Sequence, residues 1–208
     1  MIRLGIIGSI GSGKTFIGKL FKAPIFNADK EVNYLYRYNR ECFNKIKKKL
    51  PKFVNSFPLK KKDLSKAILE DKRKLKKISS IVHPLVRKRL KKFLNKNKNS
   101  KILVLDVPLL VENKLYNKND ILIFVKFNKK KILKRLKKRS NYNKDVLKKL
   151  VENQVVLSKK KRLANYIVDN NFTPKIMKKK IKMLKKKILN ERNNSWYRNN
   201  GPFSKGWP

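Results

Sequence analysis

The strongest chemical signal in the sequence is the run Gly8-Ser9-Ile10-Gly11-Ser12-Gly13-Lys14-Thr15, which fits the pattern G-x-x-x-x-G-K-[ST] in full. Glycines allow successive backbone N–H groups to turn inward around a phosphate, and a following helix adds its free N–H groups and its dipole. In this pattern the lysine reaches the β- and γ-phosphates, and the hydroxyl of Thr15 holds Mg²⁺. The run therefore predicts ATP or GTP binding rather than a purely structural glycine turn.

The residues around this run provide the context that phosphate binding needs. The apolar residues 2–7 precede it and predict a buried parallel strand, and residues 14–21 predict a helix. We expect the nucleotide contacts to come from the loop and the start of this helix, namely from Gly8, Ile10, Gly11, Ser12, Gly13, Lys14, Thr15 and Phe16.

Two carboxylates follow predicted strands beside this loop. Asp29 comes after a short strand predicted at residues 24–28, and Asp106 comes directly after four apolar residues, 102–105. Open α/β sheets bind ligands at the carboxyl ends of their strands, where Asp29 could accept the proton of an attacking hydroxyl or hold a metal. Asp106 completes a pattern typical of a metal-organising aspartate. Aspartate is also a favoured helix N-cap, so capping is the alternative role for both residues.

Strands and helices alternate along the rest of the chain. Further strands are predicted at residues 102–105, 121–125 and 166–168. Helices are predicted at residues 129–139, 145–161 and 174–189, and between 31 and 94 with breaks near Pro51, Phe57–Pro58 and His83–Pro84. This alternation predicts an α/β fold with a mostly parallel sheet.

Length and composition predict a single compact domain in a reducing compartment. The chain has 208 residues, of which 40% are hydrophobic, enough for a core and too many for a disordered protein. One cysteine, Cys42, cannot form an internal disulfide, which favours the cytoplasm. Apolar stretches stay well short of the ~20 residues of a membrane span. We therefore expect a soluble cytoplasmic protein.

The charge is extreme and has two explanations. The chain carries 58 Lys+Arg against 13 Asp+Glu, a formal net charge of +45, as in many nucleic-acid-binding proteins. Lysine, asparagine and isoleucine are all over-used, however, and their codons consist largely of A and T. The lysines are also spread along the chain from Lys45 to Lys187 rather than gathered in one patch. We expect codon bias to explain most of the charge, and a surface for polyanions remains the alternative.

The segment 190–208 differs from the rest of the chain. It contains both tryptophans, Trp196 and Trp207, together with Tyr197 and Phe203. We expect a flexible or back-packed tail of no catalytic importance. Aromatic residues among basic ones could instead stack on nucleic-acid bases.

Over about residues 2–189 the sequence resembles the dephospho-CoA kinase family. The resemblance rests on the phosphate loop and on four later segments, Asn27-Ala28-Asp29, His83-Pro84-Leu85-Val86-Arg87, Asp106-Val107-Pro108-Leu109-Leu110-Val111-Glu112 and Asn165-Tyr166-Ile167-Val168-Asp169-Asn170. It implies transfer of the γ-phosphoryl group of ATP, with Mg²⁺, to the ribose 3′-hydroxyl of dephospho-CoA, the last step of coenzyme A synthesis. It also implies a three-layer P-loop kinase domain over residues 1–189, with a five-stranded parallel sheet, a helical acceptor-binding region at about 30–100 and a lid at about 135–165.

The resemblance also implies roles for individual residues. Asp29 would be the base for the 3′-hydroxyl, acting with Lys14 and with Arg139 of the lid. Arg135 would join Arg139 in neutralising charge on the transferring group, and Asn170 would lie near the adenine of ATP. The acceptor would be bound by Asp29 and by a second set of residues, namely His83, Arg87, Asp106, Pro108, Leu109 and Glu112.

Two other functions are compatible with the phosphate loop. The first is another small-molecule kinase of the same fold, acting on a nucleoside, nucleotide or shikimate-like acceptor. The second is a nucleic-acid-binding NTPase or a basic binding protein, which the sequence disfavours because it contains no RNA-binding or helicase-like motif. We expect a monomer or a weak oligomer.

Overall fold

The computed structural model describes residues 1–108, 110–112, 115–127, 132, 136, 155–171 and 173–193, without the side chains of residues 192 and 193. The predicted helix 129–139 lies outside the described residues except at positions 132 and 136. Most of the predicted helix 145–161, most of the predicted lid and residues 194–208 of the tail lie outside them as well.

The sheet has five parallel strands, which confirms the predicted number and direction. In chain order they are β1 (Ile2–Ile7), β2 (Ile25–Asn27), β3 (Ile102–Asp106), β4 (Ile121–Lys126) and β5 (Tyr166–Asp169). Their spatial order is β2-β3-β1-β4-β5, so the phosphate loop leaves the central strand. Every residue of β3 is buried, as expected for a parallel strand that helices cover on both faces.

Helices cover both faces of this sheet. Those in the described residues are α1 (Lys14–Leu20), α2 (Ala28–Tyr38), α3 (Arg40–Lys49), α4 (Lys61–Glu70), α5 (Arg73–Lys96), α6 (Leu157–Arg162) and α7 (Pro174–Asn193). On one face, Ile6 of β1 belongs to a core cluster with Ile17 of α1 and Ile181 of α7. On the other face, Leu105 of β3 belongs to a larger cluster that includes residues of α2 to α5. The chain therefore forms three layers, and none of its described helices is long and apolar enough to span a bilayer.

The predicted strand at residues 24–28 is wrong at its end. β2 stops at Asn27, and α2 begins at Ala28, so Asp29 lies in the first helical turn. The Asn27 side-chain oxygen accepts a hydrogen bond from the backbone N–H of Lys30 at 2.8 Å, which is the N-cap interaction. The capping role that was the alternative for Asp29 is therefore performed by Asn27.

The predicted helix break at His83–Pro84 is also wrong. α5 continues through Pro84, which lies well inside the helix and is exposed. A proline there removes one backbone hydrogen bond and costs about 3 kcal/mol or more. Residues of α5 at every fourth position, Ile78, Val82, Val86 and Leu90, are buried in the core. Each contributes about 1.5–3 kcal/mol, so their combined burial outweighs the cost of the proline.

The close approach of α1 to the sheet depends on Gly18. A Cβ atom at this position would lie 2.8 Å from Ile25 Cδ1 and 3.3 Å from Val104 Cγ1. We expect Gly18→Val to lower the free energy of unfolding in urea by about 1–3 kcal/mol, because the added methyl groups overpack this contact. Lys19→Val is the control, since Lys19 is exposed in the same helix and the change adds the same β-branched side chain. Equal losses in the two variants would contradict the packing argument.

Candidate active site

The phosphate loop connects β1 to α1 and has the backbone that its glycines predict. Gly13, the N-cap of α1, has φ 92°, a left-handed conformation that L-residues with side chains rarely adopt. The first α-helical hydrogen bond runs from Ile17 N to Gly13 O at 2.9 Å. The N–H groups of residues 14–16, in the first turn of α1, therefore have no intrahelical acceptor and are left for an anion.

Lys14 is held over this loop by the loop's own carbonyl groups. Its Nζ donates hydrogen bonds to Ser9 O at 2.7 Å and to Gly8 O at 3.3 Å, and the residue is 8% exposed. Burial lowers the pKa of Lys14 to about 8, although the carboxylate of Asp106 opposes this shift. The amine therefore changes its charge close to physiological pH.

Asp106 joins the loop to the neighbouring strand. Its Oδ2 accepts hydrogen bonds from Thr15 Oγ1 at 2.6 Å and from Asn27 Nδ2 at 2.5 Å, and the residue is buried. No helix of the described residues begins directly after Asp106, so the alternative role of helix N-cap does not apply to it. The structure thus places a carboxylate against the hydroxyl of the loop.

Thr15 and Asp106 suit Mg²⁺ by their chemistry. A hydroxyl and a carboxylate are hard oxygen ligands, and Mg²⁺ commonly uses one or two of these together with waters and substrate phosphates. Within the described part of the chain no group of three or more His, Cys, Asp or Glu residues could hold a metal by itself. A magnesium ion at this site would therefore take its further ligands from waters or from the phosphates of a nucleotide.

Asp29 is exposed at the start of α2, beside the buried end of β2. Its charge, like those of Asp106 and Glu112, acts to raise the pKa of Lys14. Three of the carboxylates that the sequence singled out therefore lie within electrostatic range of the loop lysine. This shared electrostatic effect, together with the hydrogen bond from Thr15 to Asp106, supports a single site.

Glu112 is paired with a buried lysine that the sequence analysis missed. Lys160 Nζ lies 2.6 Å from Glu112 Oε1, and the Lys160 side chain is 1% exposed. Other lysines surround Lys160 in the sequence, so the pattern predicted an exposed side chain at this position too. Helical spacing was the available signal, since Lys160 stands three residues from both Leu157 and Leu163, which pack against the core.

Asn170 and Phe16 contact their surroundings in ways that the sequence did not indicate. Asn170 follows β5, is buried and donates a hydrogen bond from Nδ2 to Ser12 O at 2.8 Å, so it braces the phosphate loop. The Phe16 side chain packs against the core cluster shared by α1 and α7. Only the backbone of Phe16 is therefore available to a phosphate.

His83 and Arg87 lie one turn apart on α5, where His83 is half-buried and Arg87 is exposed. Burial, and secondarily the charge of Arg87, lower the pKa of His83. Neither side chain makes a hydrogen bond or an ion pair with another described residue. Pro108 is described and partly exposed, whereas the predicted site residues Leu109, Arg135 and Arg139 lie outside the described residues.

Comparison with known proteins gives one consistent result. Residues 2–175 match a family model described as dephospho-CoA kinase. A dephospho-CoA kinase from Wolbachia pipientis wMel is 30% identical over 184 residues, which cover 86% of this chain and 94% of the relative. Another from Wolbachia sp. subsp. Brugia malayi (strain TRS) is 32% identical over 173 residues, covering 81% and 88%. A crystal structure from Thermus thermophilus matches with a TM-score of 0.72 at 25% identity, covering 91% of this chain and 97% of its own.

The lowered pKa of Lys14 predicts that nucleotide affinity depends on pH. Below a pH of about 8 the amine is protonated and attracts phosphate, and above it the amine is neutral. We expect the dissociation constant for ATP to rise above this pH, by up to about 10-fold per pH unit. Titration calorimetry across this range measures the effect. Lys14→Arg should bind more weakly but without this pH dependence, because a guanidinium stays charged. A flat profile for the unaltered protein would contradict the assignment.

Proposed function

The chain belongs to the dephospho-CoA kinase family, and from this premise we propose which of its residues carry the reaction. The reaction is the ATP-dependent phosphorylation of the ribose 3′-hydroxyl of dephospho-CoA, in coenzyme A synthesis. The observation that supports our assignment most strongly is the pair of hydrogen bonds that join Asp106 to Thr15 at the start of α1 and to Asn27 at the end of β2. The family match gives no support to the rival nucleoside and nucleotide acceptors.

We assign the ATP phosphates to the loop between β1 and α1. Backbone N–H groups of residues 8–16 would surround the β-phosphate, and Lys14 would bridge the β- and γ-phosphates. To do so, the Lys14 amine would exchange its hydrogen bonds with Gly8 O and Ser9 O for the phosphate oxygens. Asn170 would keep the loop in shape through its bond to Ser12 O and would lie near the adenine.

Thr15 and Asp106 would hold Mg²⁺. Bound there, the ion would neutralise charge on the β- and γ-phosphates. The hydrogen bond between Thr15 Oγ1 and Asp106 Oδ2 supports this assignment, because it keeps both oxygens together. Asn27 would orient the carboxylate by donating to the same Oδ2.

Asp29 would orient the 3′-hydroxyl of dephospho-CoA and accept its proton as the oxygen attacks the γ-phosphorus. Its position in the first turn of α2 supports this role, since the positive end of a helix favours the ionised carboxylate. An ionised Asp29 is able to accept the proton, whereas a protonated one is not.

We assign binding of the acceptor to side chains of α5 and of the loop after β3. Burial lowers the pKa of His83, so its imidazole would be neutral at neutral pH. The guanidinium of Arg87 would bind phosphate oxygens of dephospho-CoA, and the neutral imidazole of His83 would form a further hydrogen bond with this substrate. Pro108, Leu109 and Glu112 would line the acceptor on the other side.

The remaining assignments rest on the family resemblance. Arg135 and Arg139 of a lid at about residues 135–165 would neutralise charge on the transferring phosphoryl group, and residues of about 30–100 would form the acceptor-binding region. We propose that the protein acts in the cytoplasm as a monomer or weak oligomer, without nucleic acid as a partner. Cys42 is a free and buried thiol, in keeping with a reducing compartment.

The proposed base is tested by Asp29→Asn, which keeps the size of the side chain and removes its charge. We expect kcat for dephospho-CoA-dependent ADP release to fall about 100-fold or more, because proton transfer loses its acceptor. Nucleotide affinity should change little. Asp63→Asn is the matched control, since Asp63 also lies in the first turn of a helix. Full activity of Asp29→Asn would overturn the role of Asp29, and a wild-type protein that ignores dephospho-CoA would overturn the function itself.

The proposed metal site is tested by Thr15→Val, which replaces the hydroxyl by a methyl group of similar size. The Mg²⁺ concentration for half-maximal activity should rise about 10-fold or more, because one oxygen ligand is lost. Thr15→Ser keeps the hydroxyl and should remain close to the unaltered protein. Equal Mg²⁺ requirements in all three proteins would exclude Thr15 as a ligand.

A further inference from the structure

Lys160 is a buried charge with no role in the mechanism above. It lies on α6, its side chain is 1% exposed, and its Nζ is 2.6 Å from Glu112 Oε1. Its neighbours Lys159 and Lys161 are both exposed. A buried ion pair of this kind is weak support for stability, because desolvation of the two charges offsets their attraction. The pair therefore calls for a functional explanation.

The two oxygens of Glu112 have different surroundings. Oε1 accepts the hydrogen bond from Lys160 and a second one from the backbone N–H of Val155, at 2.9 Å. Oε2 is buried as well, yet it has no hydrogen-bond partner among the described residues. A buried polar atom without a partner is costly and rare in folded proteins. The carboxylate is thus fixed by one oxygen, and its other oxygen accepts no hydrogen bond from the described residues.

The chain topology relates Glu112 to the residues that we assign to the acceptor. Glu112 ends the segment that begins with Asp106 at the carboxyl end of β3, and β3 pairs with β2, which leads directly to Asp29. The charges of Glu112, Asp29 and Lys160 all act on Lys14. Glu112 and the proposed base therefore both lie within electrostatic range of Lys14.

We propose that Lys160 is a positioning residue for the acceptor, because it holds Glu112 by Oε1 and leaves Oε2 to accept a hydrogen bond from dephospho-CoA. The donor is an O–H or N–H group of the acceptor molecule, either the ribose 2′-hydroxyl beside the reacting oxygen or an amide N–H of the pantetheine arm. This inference rests on the proposed function, since it takes dephospho-CoA as the acceptor.

Lys160→Met tests the inference because it keeps a long side chain and removes the charge. We expect KM for dephospho-CoA to rise about 10- to 100-fold, the loss typical of one hydrogen bond to a charged group. KM for ATP should change less than about 2-fold, as should both constants in the control Lys159→Met, an exposed neighbour on the same helix. A purely structural role would move both substrates together, and that result would overturn the inference.

Glu112→Gln and modified acceptors identify the donor. In the unaltered protein, the analogue lacking the 2′-hydroxyl should show the same rise in KM if that hydroxyl is the donor. A truncated acceptor without the pantetheine arm should show it if an amide is the donor. In Glu112→Gln, KM should be the same for dephospho-CoA and for the analogue that lacks the donor group. The inference would be overturned if, for every analogue, the ratio of its KM to that of dephospho-CoA were the same in Glu112→Gln as in the unaltered protein.

Thermal unfolding of each variant shows whether it is folded, so that a change in KM is not confused with loss of structure. If Lys160→Met does not fold, the double variant Lys160→Met/Glu112→Gln removes both charges and should fold while keeping the raised KM for dephospho-CoA. Normal kinetics of the folded double variant would overturn the inference. If only the inference about Lys160 is wrong, the unaltered protein still phosphorylates dephospho-CoA. If the proposed function is wrong, the unaltered protein does not.

Discussion

One carboxylate oxygen holds the site together. Asp106 Oδ2 accepts hydrogen bonds from Thr15, at the start of α1, and from Asn27, at the end of β2. Asn27 and Asp106 are register partners in the sheet, and Asn27 uses its other polar atom to cap α2. The phosphate loop, the end of β3 and the helix that carries Asp29 are therefore joined through a single buried centre. A shift of any one of these elements would disturb the other two.

The site is electrostatically unlike the rest of the protein. The chain has only 13 acidic residues against 58 basic ones, yet Asp29, Asp106 and Glu112 all act on Lys14. Buried lysines require such neighbours, because an unpaired ammonium in the interior loses its hydration. The scarce acids near the loop thus keep two lysines, Lys14 and Lys160, inside a protein whose surface is strongly positive.

The sequence predicted the sheet and the phosphate loop well because both depend on local patterns. Apolar runs identify buried parallel strands, and glycine spacing identifies the loop. The start of α2 was misplaced because a capping asparagine ended β2 earlier than propensity indicated. The continuity of α5 through Pro84 and the burial of Lys160 were missed for a shared reason. Both follow from packing between elements distant in sequence, which can outweigh a local preference for a break or for solvent.

The sheet ends in two short strands, β2 with three residues and β5 with four. The outer edge of a sheet exposes unpaired N–H and C=O groups, which can recruit a strand from another molecule and start aggregation. Short edges offer few such groups, and Lys126 and Asp169 place charges beside the end of β5. Together with the repulsion between highly charged molecules, this makes intermolecular strand pairing unfavourable. Parallel sheets form slowly, because their strands are distant in sequence. The short, charged edges therefore disfavour pairing with the sheet edges of other copies of this chain while the sheet forms.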